Sequence, residues 1–213
     1  LQKAAGLDIR MLLPLHGHVW RQDLGYILGK YDLWSRWEPE VRGVMIAYAS
    51  VYGGTENAAN VLACRLAEQG VQVKMFDVSV TPAPYVVSDA FKYSHLVFAS
   101  ATYNMGIFVT MEDLLHDIAA HALADRRYAL IENGTWSPAS GKKMDALLSP
   151  LKGWSAVEPV LTVKSALRPD QAAQMQRLAD AIAADVKAEQ TEEDASGEGK
   201  HRYVCKVCGY VYE

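Results

Sequence analysis

The chain has 213 residues, of which 50% are hydrophobic and 22% charged, and its formal net charge is −4. This composition is that of a soluble globular protein, and the negative charge argues against a nucleic-acid-binding surface. No uncharged apolar run reaches the about 18 residues that a membrane span needs, and three cysteines do not make a disulfide framework. We therefore expect a cytoplasmic protein with no membrane partner. Because the sequence begins at Leu1 inside a patterned segment, we also expect a piece of a longer protein.

Residues 1–40 are predicted to be the end of a separate unit. Residues 9–15 have the pattern of a strand, and His16-Gly17-His18 follows them. Two histidines this close could ligate a metal through neutral imidazole. With no further ligand in view, a role in capping the loop is the better interpretation from these residues alone. Residues 23–37 are predicted to form a helix with an apolar packing face, and residues 38–42 a polar linker that marks a domain boundary.

Between residues 42 and 188, short apolar segments alternate with segments of helical periodicity. Strands are predicted at residues 44–49, 71–76, 95–100, 127–131 and 156–163, and a long helix closes the series at residues 170–187. Strands that alternate with helices pair in parallel through crossovers. The predicted fold is therefore α/β, a doubly wound five-stranded parallel sheet with helices on both faces. Such sheets bind ligands beyond the carboxyl ends of their strands.

The first strand leads into the glycine turn Ser-Val-Tyr-Gly-Gly-Thr and then into a helix. A helix that starts after such a turn aims backbone amides at one point, where its dipole favours an anion. The loop lacks the lysine of a nucleotide-hydrolysing P-loop, and G-x-G-x-x-G is missing as well. Its hydroxyls and amides suit one terminal phosphate, whereas the alternative is an ordinary turn with Thr55 as the N-cap. The candidate phosphate-binding residues are Ser50, Val51, Tyr52, Gly53, Gly54 and Thr55.

The third and fourth strands lead into two further loops, at residues 101–107 and 132–140, that are rich in small polar residues and glycine. Each presents one large aromatic side chain, Tyr103 or Trp136. Either aromatic alone would be expected to fold over the core, but two at matching strand ends suit a flat conjugated ring. Backbone groups of these turns could contact the edge of that ring. The candidate residues are Ser100, Ala101, Thr102, Tyr103, Asn104, Gly106, Asn133, Gly134, Thr135, Trp136 and Ser137.

Together the three loops resemble those of a flavodoxin-like domain, and more narrowly those of a flavodiiron protein. Residues 50–55, followed by Glu56, are similar to the S/T-x-x-G-x-T phosphate loop. Residues 100–104 resemble S-P-T-Y-N, with Ala101 where proline is usual, and Trp136 matches the tryptophan of G-x-x-G-W although its neighbours differ. The resemblance covers residues 8–188 and implies FMN as cofactor at the three loops.

The N-terminal segment carries the narrower part of the resemblance. Residues 13–21, Leu-Pro-Leu-His-Gly-His-Val-Trp-Arg, are similar to the end of the β-lactamase-like domain of flavodiiron proteins. By this match residues 1–40 are the remnant of that domain and His16 is the last ligand of a diiron centre. The other iron ligands would then lie upstream of Leu1.

The C-terminal end resembles the first knuckle of a rubredoxin. Residues 189–200 are acidic and have nothing to bury, which predicts a flexible linker. In residues 201–213, Cys205 and Cys208 form a C-x-x-C-G thiolate knuckle for a metal, with iron favoured and a zinc-ribbon half-site as the rival interpretation. Cys64 is expected to pack as a small apolar residue, so we expect the site to need a second knuckle beyond Glu213.

The resemblance implies an FMN-binding electron-transfer module of an O2 or NO reductase. Electrons would pass from rubredoxin iron, or from an NAD(P)H:rubredoxin reductase, through FMN to the diiron site, within a head-to-tail homodimer. An FMN-dependent NAD(P)H:quinone reductase is the runner-up. A signalling receiver domain is set aside because its acidic residues are missing, and a non-catalytic scaffold that binds through the helix of residues 23–37 remains as a further alternative.

Overall fold

The computed structural model describes residues 7–196, 203–204 and 211–212. Its α-helices are α1 (Leu24–Ser35), α2 (Gly54–Glu68), α3 (Ala83–Lys92), α4 (Val109–Ala120), α5 (Ser140–Leu148) and α6 (Ala172–Ser196). Its strands are β1 (Val41–Ala49), β2 (Val73–Asp77), β3 (Tyr93–Tyr103), β4 (Gly106–Ile107), β5 (Arg127–Asn133), β6 (Ser155–Ala156), β7 (Leu161–Val163), β8 (Tyr203–Val204) and β9 (Val211–Tyr212). No helix in these ranges is long and apolar enough to cross a bilayer.

Apart from the short β4, which pairs antiparallel with β3, the main sheet is parallel and runs in the order β2-β1-β3-β5, with the last position shared by β6 and β7. Helices alternate with the strands along the chain. The predicted α/β doubly wound fold is therefore confirmed. The order along the sheet reverses between β1 and β3, and in such sheets the crevice at that reversal is where ligands bind.

The fifth predicted strand is interrupted. Ser155–Ala156 pairs with the start of β5 and Leu161–Val163 with its end, while residues 157–160 bulge between them. The bulge contains Pro159, which has no N–H to give to a ladder. The continuous strand expected from the apolar pattern of residues 156–163 is thus wrong at its centre.

The core consists of two apolar layers, one on each face of the sheet, because successive residues of a strand point to opposite faces. From β1, Met45 and Ala47 enter the layer under α3, α4 and α5, while Val44 and Ile46 enter the layer under α2 and α6. Burial on both faces accounts for the nearly continuous apolar sequence of β1, β3 and β5. Each large side chain buried in this way contributes roughly 1.5–3 kcal/mol.

The N-terminal segment differs from its prediction. In place of a strand at residues 9–15 there is a single antiparallel bridge between Leu12 and Trp20. The predicted helix is present as α1, yet none of its residues is fully buried, and Tyr31 is exposed. Leu24, Ile27 and Leu28 are half-buried, and α1 also makes polar contacts, such as the hydrogen bond from Trp34 Nε1 to Glu40 Oε1 at 2.8 Å.

A buried guanidinium joins this segment to the domain. Arg126 is 1% exposed and donates to five backbone carbonyl oxygens. These acceptors belong to Trp37, Ala90, Phe91, Ala124 and Asp125, at 2.6–3.1 Å. Burial lowers the pKa of Arg126 to about 10, so the side chain stays charged at neutral pH and keeps all its donors.

The C-terminal expectations meet the structure only in part. Helix α6 continues to Ser196, so the described part of the predicted linker is helical. Cys64 is exposed on α2, so the expectation that it packs as an apolar residue is wrong. The backbones of β8 and β9 pair as an antiparallel ladder. Cys205 and Cys208, between these two strands in the sequence, lie outside the described residues.

Candidate cofactor site

The three predicted loops leave the same edge of the sheet from three adjacent strands. Ala49 is in register with Ser100, and Ala101 with Asn133. Because neighbouring strands lie about 4.8 Å apart, the loops start side by side. The first loop is residues 50–53, the second is residues 104–105 at the tip of the hairpin between β3 and β4, and the third is residues 134–139. The strand order therefore brings together the segments that the sequence analysis selected as one site.

The first loop has the features of an anion cradle. Gly53 takes φ +83°, which favours glycine, and its N–H donates to Ser50 Oγ at 3.0 Å. No side chain caps the N-terminus of α2, so the first amides of the helix point outward without an intrahelical acceptor. Thr55 is 1% exposed inside the first turn, whereas Tyr52 is 97% exposed. The alternative of Thr55 as the N-cap is wrong, because Gly53 is in that position.

The second loop is shorter than expected, because β3 continues to Tyr103 and turns back into β4. Tyr103 pairs with Gly106, and the two residues between them, Asn104 and Met105, take φ +48° and +57°. Positive φ at both central positions is the geometry of a type I′ hairpin turn. The turn leaves Tyr103 47% exposed, with its ring edge-on to Phe108 at 5.7 Å between centroids.

The third loop presents Trp136, which is 96% exposed. A single exposed aromatic side chain is ordinary on a protein surface, but several that lie at one edge of a sheet mark a site for a ligand or a partner. Tyr52, Tyr103 and Trp136 thus form an exposed aromatic rim on the three loops.

A hydroxyl network fixes the second and third loops to each other. Thr102 Oγ1 accepts the N–H groups of Ala139 and Ser140 at 3.1 and 3.3 Å, and Ser140 Oγ donates to the Ser100 carbonyl at 3.0 Å. A side chain on Gly134 would lie 3.0 Å from Thr102 Oγ1. The chains on either side of the aromatic rim are therefore closely packed and prearranged.

Asn133 ties the third loop to a segment that the sequence analysis did not select. Its Oδ1 accepts the Ser165 N–H at 2.9 Å, and its Nδ2 donates to the Ser165 carbonyl at 3.0 Å. A Cβ on Gly54 would lie 1.9 Å from that carbonyl oxygen. Ser165 follows β7, so the rule that pointed to the other loops could have found it, had it been applied to the fifth strand.

The hydrogen-bond donors of the three loops are neutral, and the charged groups beside them are carboxylates. Residues 50–56, 100–107 and 133–139 contain no lysine or arginine. Burial raises the pKa of Tyr48, and the carboxylates of Glu56 and Asp77 raise it further. An anion in this cradle would consequently be held by amides and hydroxyls rather than by a cationic side chain.

The metal-ligand candidates do not form a centre within the described residues. His16 and His18 are exposed. No group of three or more His, Cys, Asp or Glu side chains is arranged to hold a metal in the described part of the chain.

A cavity of about 660 Å³ lies elsewhere, at the β7 edge of the sheet. Its lining includes Glu158, Thr162, Arg168 and Arg177 and no aromatic residue. It shares no residue with the three loops, and its mixed charges do not resemble a site for a flat conjugated ring.

The parallel sheet, its strand order and the loops at its carboxyl edge define a flavodoxin-like α/β protein. Residues 46–193 match the flavodoxin family, and the chain belongs to this family. The family match is in keeping with FMN as the expected cofactor.

Curated relatives include nitric oxide reductases. The nitric oxide reductase of Moorella thermoacetica is 27% identical over 158 residues, which are 74% of this chain and 39% of the relative. The anaerobic nitric oxide reductase flavorubredoxin of Shigella flexneri is 24% identical over 97% of this chain and 46% of the relative. The chain therefore spans less than half the length of these proteins.

Solved structures of flavodiiron proteins share the fold. Rubredoxin oxygen:oxidoreductase from Desulfovibrio gigas aligns with a TM-score of 0.81 at 23% identity, over 89% of this chain and 47% of that one. The flavodiiron protein from Giardia intestinalis aligns with a TM-score of 0.78 at 20% identity, over 88% and 47%. The fold is the flavodoxin-like fold found in flavodiiron proteins, which confirms the resemblance drawn from the sequence motifs.

Proposed function

We propose that residues 42–188 bind FMN, with its phosphate on residues 50–55 and its ring between residues 101–106 and 133–137. The observation that carries this proposal is the meeting of an uncapped helix N-terminus and an exposed aromatic rim at one edge of the sheet. The amides at the start of α2 would hold the phosphate. Tyr103 and Trp136 would cover the ring.

The donor set fits this ligand. Amides and hydroxyls can surround a phosphate through hydrogen bonds without a cation. The backbone of the two ring loops can donate and accept at the ring edge because each loop is fixed by the Thr102 network. Bound FMN would supply reversible uptake and release of one or two electrons. The protein would orient the ring, shield part of it from water and leave one rim open to a redox partner.

We infer further that this module belongs to a flavodiiron-type O2 or NO reductase. Support comes from the similarity to nitric oxide reductases and from the His16 segment. Rubredoxin iron or an NAD(P)H:rubredoxin reductase would be the electron donor, and a homodimer would bring FMN near the diiron site of the other subunit. His16 would serve the diiron centre, while Cys205 and Cys208 would serve a rubredoxin-type iron site. Both metal sets are incomplete in these 213 residues, so this chain alone should not reduce O2 or NO.

The visible spectrum of the purified chain tests FMN binding. Flavin absorption that comigrates with the protein, and that is weakened by Trp136→Ala but not by Tyr31→Ala, is the expected result. Tyr31 is an exposed aromatic residue on α1, outside the three loops. A colourless protein that does not bind added FMN would overturn the proposal and favour the scaffold alternative.

Reduction of the bound flavin separates the electron-transfer module from the quinone reductase. NADPH alone should leave the flavin oxidised, whereas a reduced rubredoxin or a rubredoxin reductase system should bleach it. Direct bleaching by NADPH, followed by turnover with a quinone, would favour the quinone reductase.

A further inference from the structure

We propose that Asn133 is a positioning residue for the phosphate half of the site, acting through Ser165 on the first turn of α2. This inference rests on the proposed FMN site and assigns a role to a turn that lies outside the three loops. In the structure the side-chain amide of Asn133 clamps a strained turn, and the carbonyl of that turn abuts Gly54.

The turn at Ser165 is strained. Ser165 takes φ +70°, and the Ala166 N–H donates to the Lys164 carbonyl at 3.0 Å across it. A three-residue turn with a positive central φ is rare and unfavourable for a residue with a side chain. Such a conformation persists only where surrounding contacts hold it in place.

Asn133 supplies those contacts. Its amide bonds both backbone groups of Ser165, at 2.9 and 3.0 Å, across 32 residues of sequence. Asn133 is 8% exposed at the end of β5, which lies between β3 and β7 in the sheet. The side chain is thus anchored on a rigid strand, and both of its polar atoms are used to fix the turn.

The turn at Ser165 sets the position of the phosphate loop. Gly54 is the first residue of α2, and the space where its Cβ would stand is filled by the Ser165 carbonyl oxygen at 1.9 Å and by Asn133 Nδ2 at 3.1 Å. The helix start therefore rests directly on the clamped turn. If the clamp is released, the turn can relax and the amides of residues 54–56 lose their fixed direction.

The inference predicts a loss that depends on the phosphate. Apo-protein is titrated with FMN and with riboflavin, which lacks the phosphate, and dissociation constants are taken from flavin fluorescence. Asn133→Ala should weaken FMN binding by about tenfold or more, as expected when a preorganised contact becomes mobile. Riboflavin binding should weaken by less than about threefold, because both polar atoms of Asn133 are already bonded to Ser165 and the ring loops keep the Thr102 network.

Two further variants keep the test decisive. Asn133→Leu removes both hydrogen bonds to Ser165 at nearly the same side-chain volume and adds no charge beside the phosphate, so an FMN-selective loss is expected even if Asn133→Ala folds poorly. Gln171→Ala is the matched control, because Gln171 Nε2 bonds the Thr162 carbonyl of β7 at 2.7 Å without touching Gly54. Its ratio of FMN to riboflavin affinity should stay within about twofold of the parent's.

A double-mutant cycle probes the contact itself. Gly54→Ala should weaken FMN binding less in the Asn133→Ala background than in the parent, because an unclamped turn can yield to the new methyl group. Equal losses for FMN and riboflavin, no loss in Asn133→Ala, or strictly additive effects would each overturn the inference. A parent chain that binds neither flavin would overturn the proposed function instead, so the two failures are distinguishable.

Discussion

Replacing Gly54 with alanine tests the close approach at the start of α2 without any cofactor. The new Cβ would lie 1.9 Å from the Ser165 carbonyl oxygen, a distance that side-chain carbons do not tolerate. The obstacle is backbone held by two hydrogen bonds from Asn133, so it cannot swing away as a flexible side chain would. Overpacking of this kind costs about 1–3 kcal/mol, and we expect the upper end of that range.

Part of this cost is offset by helix propensity. Alanine is favoured over glycine within a helix by up to about 1 kcal/mol, although less at its first residue. The net loss should therefore be about 2 kcal/mol. With a urea m-value of about 2 kcal/mol/M, the unfolding midpoint of the apo-protein should fall by about 1 M, and m itself should not change.

Two other glycines supply controls. Gly53 has open space around its Cβ position but takes φ +83°, so Gly53→Ala should cost only the about 1–2 kcal/mol of a left-handed conformation. Gly29 lies inside α1 with nothing within 4 Å, so Gly29→Ala should stabilise by about 0.5–1 kcal/mol. If Gly54→Ala unfolds at the same urea concentration as the parent, the contact with Ser165 does not limit this position.

Four further substitutions have expected outcomes in urea unfolding. Burial lowers the pKa of His95 to about 4, against the opposing effect of Asp185. Between pH 6.5 and 4 the unfolded state therefore binds more protons than the folded state, so the free energy of unfolding decreases by up to about 3 kcal/mol as the pH is lowered through this range. His95→Gln should flatten this part of the profile of stability against pH, whereas parallel profiles for the variant and the parent would contradict the assignment. Thr102→Val leaves two amides at the start of α5 without their acceptor and should destabilise the protein by about 1–3 kcal/mol. Thr110→Val removes a buried hydroxyl that has no hydrogen-bond partner and should be neutral or stabilising. Equal effects of the two substitutions on stability would refute this contrast. Arg126→Lys cannot reach five carbonyls at once and should lose about 3 kcal/mol, and a change below about 0.5 kcal/mol would show that these bonds contribute little.

The local sequence pattern was sufficient to predict the strands that are buried on both faces. Val44 to Ala49 and residues 95–100 read as strands because both of their faces enter the core, and such burial leaves a continuous apolar run. The local pattern failed to predict secondary structure that depends on a partner strand or on a neighbouring helical segment. Residues 9–15 have the largely apolar sequence of a strand but make a single bridge, because pairing also needs a partner strand. Residues 189–196 contain no large apolar residue, yet they continue the helix that α6 has already nucleated.

The sequence by itself determined the alternation of strands and helices, the position of the three loops at strand ends and the residue types that the loops present. These follow from periodicity and from turn chemistry, which act over a few residues. Only the tertiary structure decided that Asn133 holds Ser165 and that Ser165 fills the space beside Gly54. These contacts join residues far apart in the chain, and they exist because β1, β5 and β7 end at one edge of a sheet whose order no local pattern records.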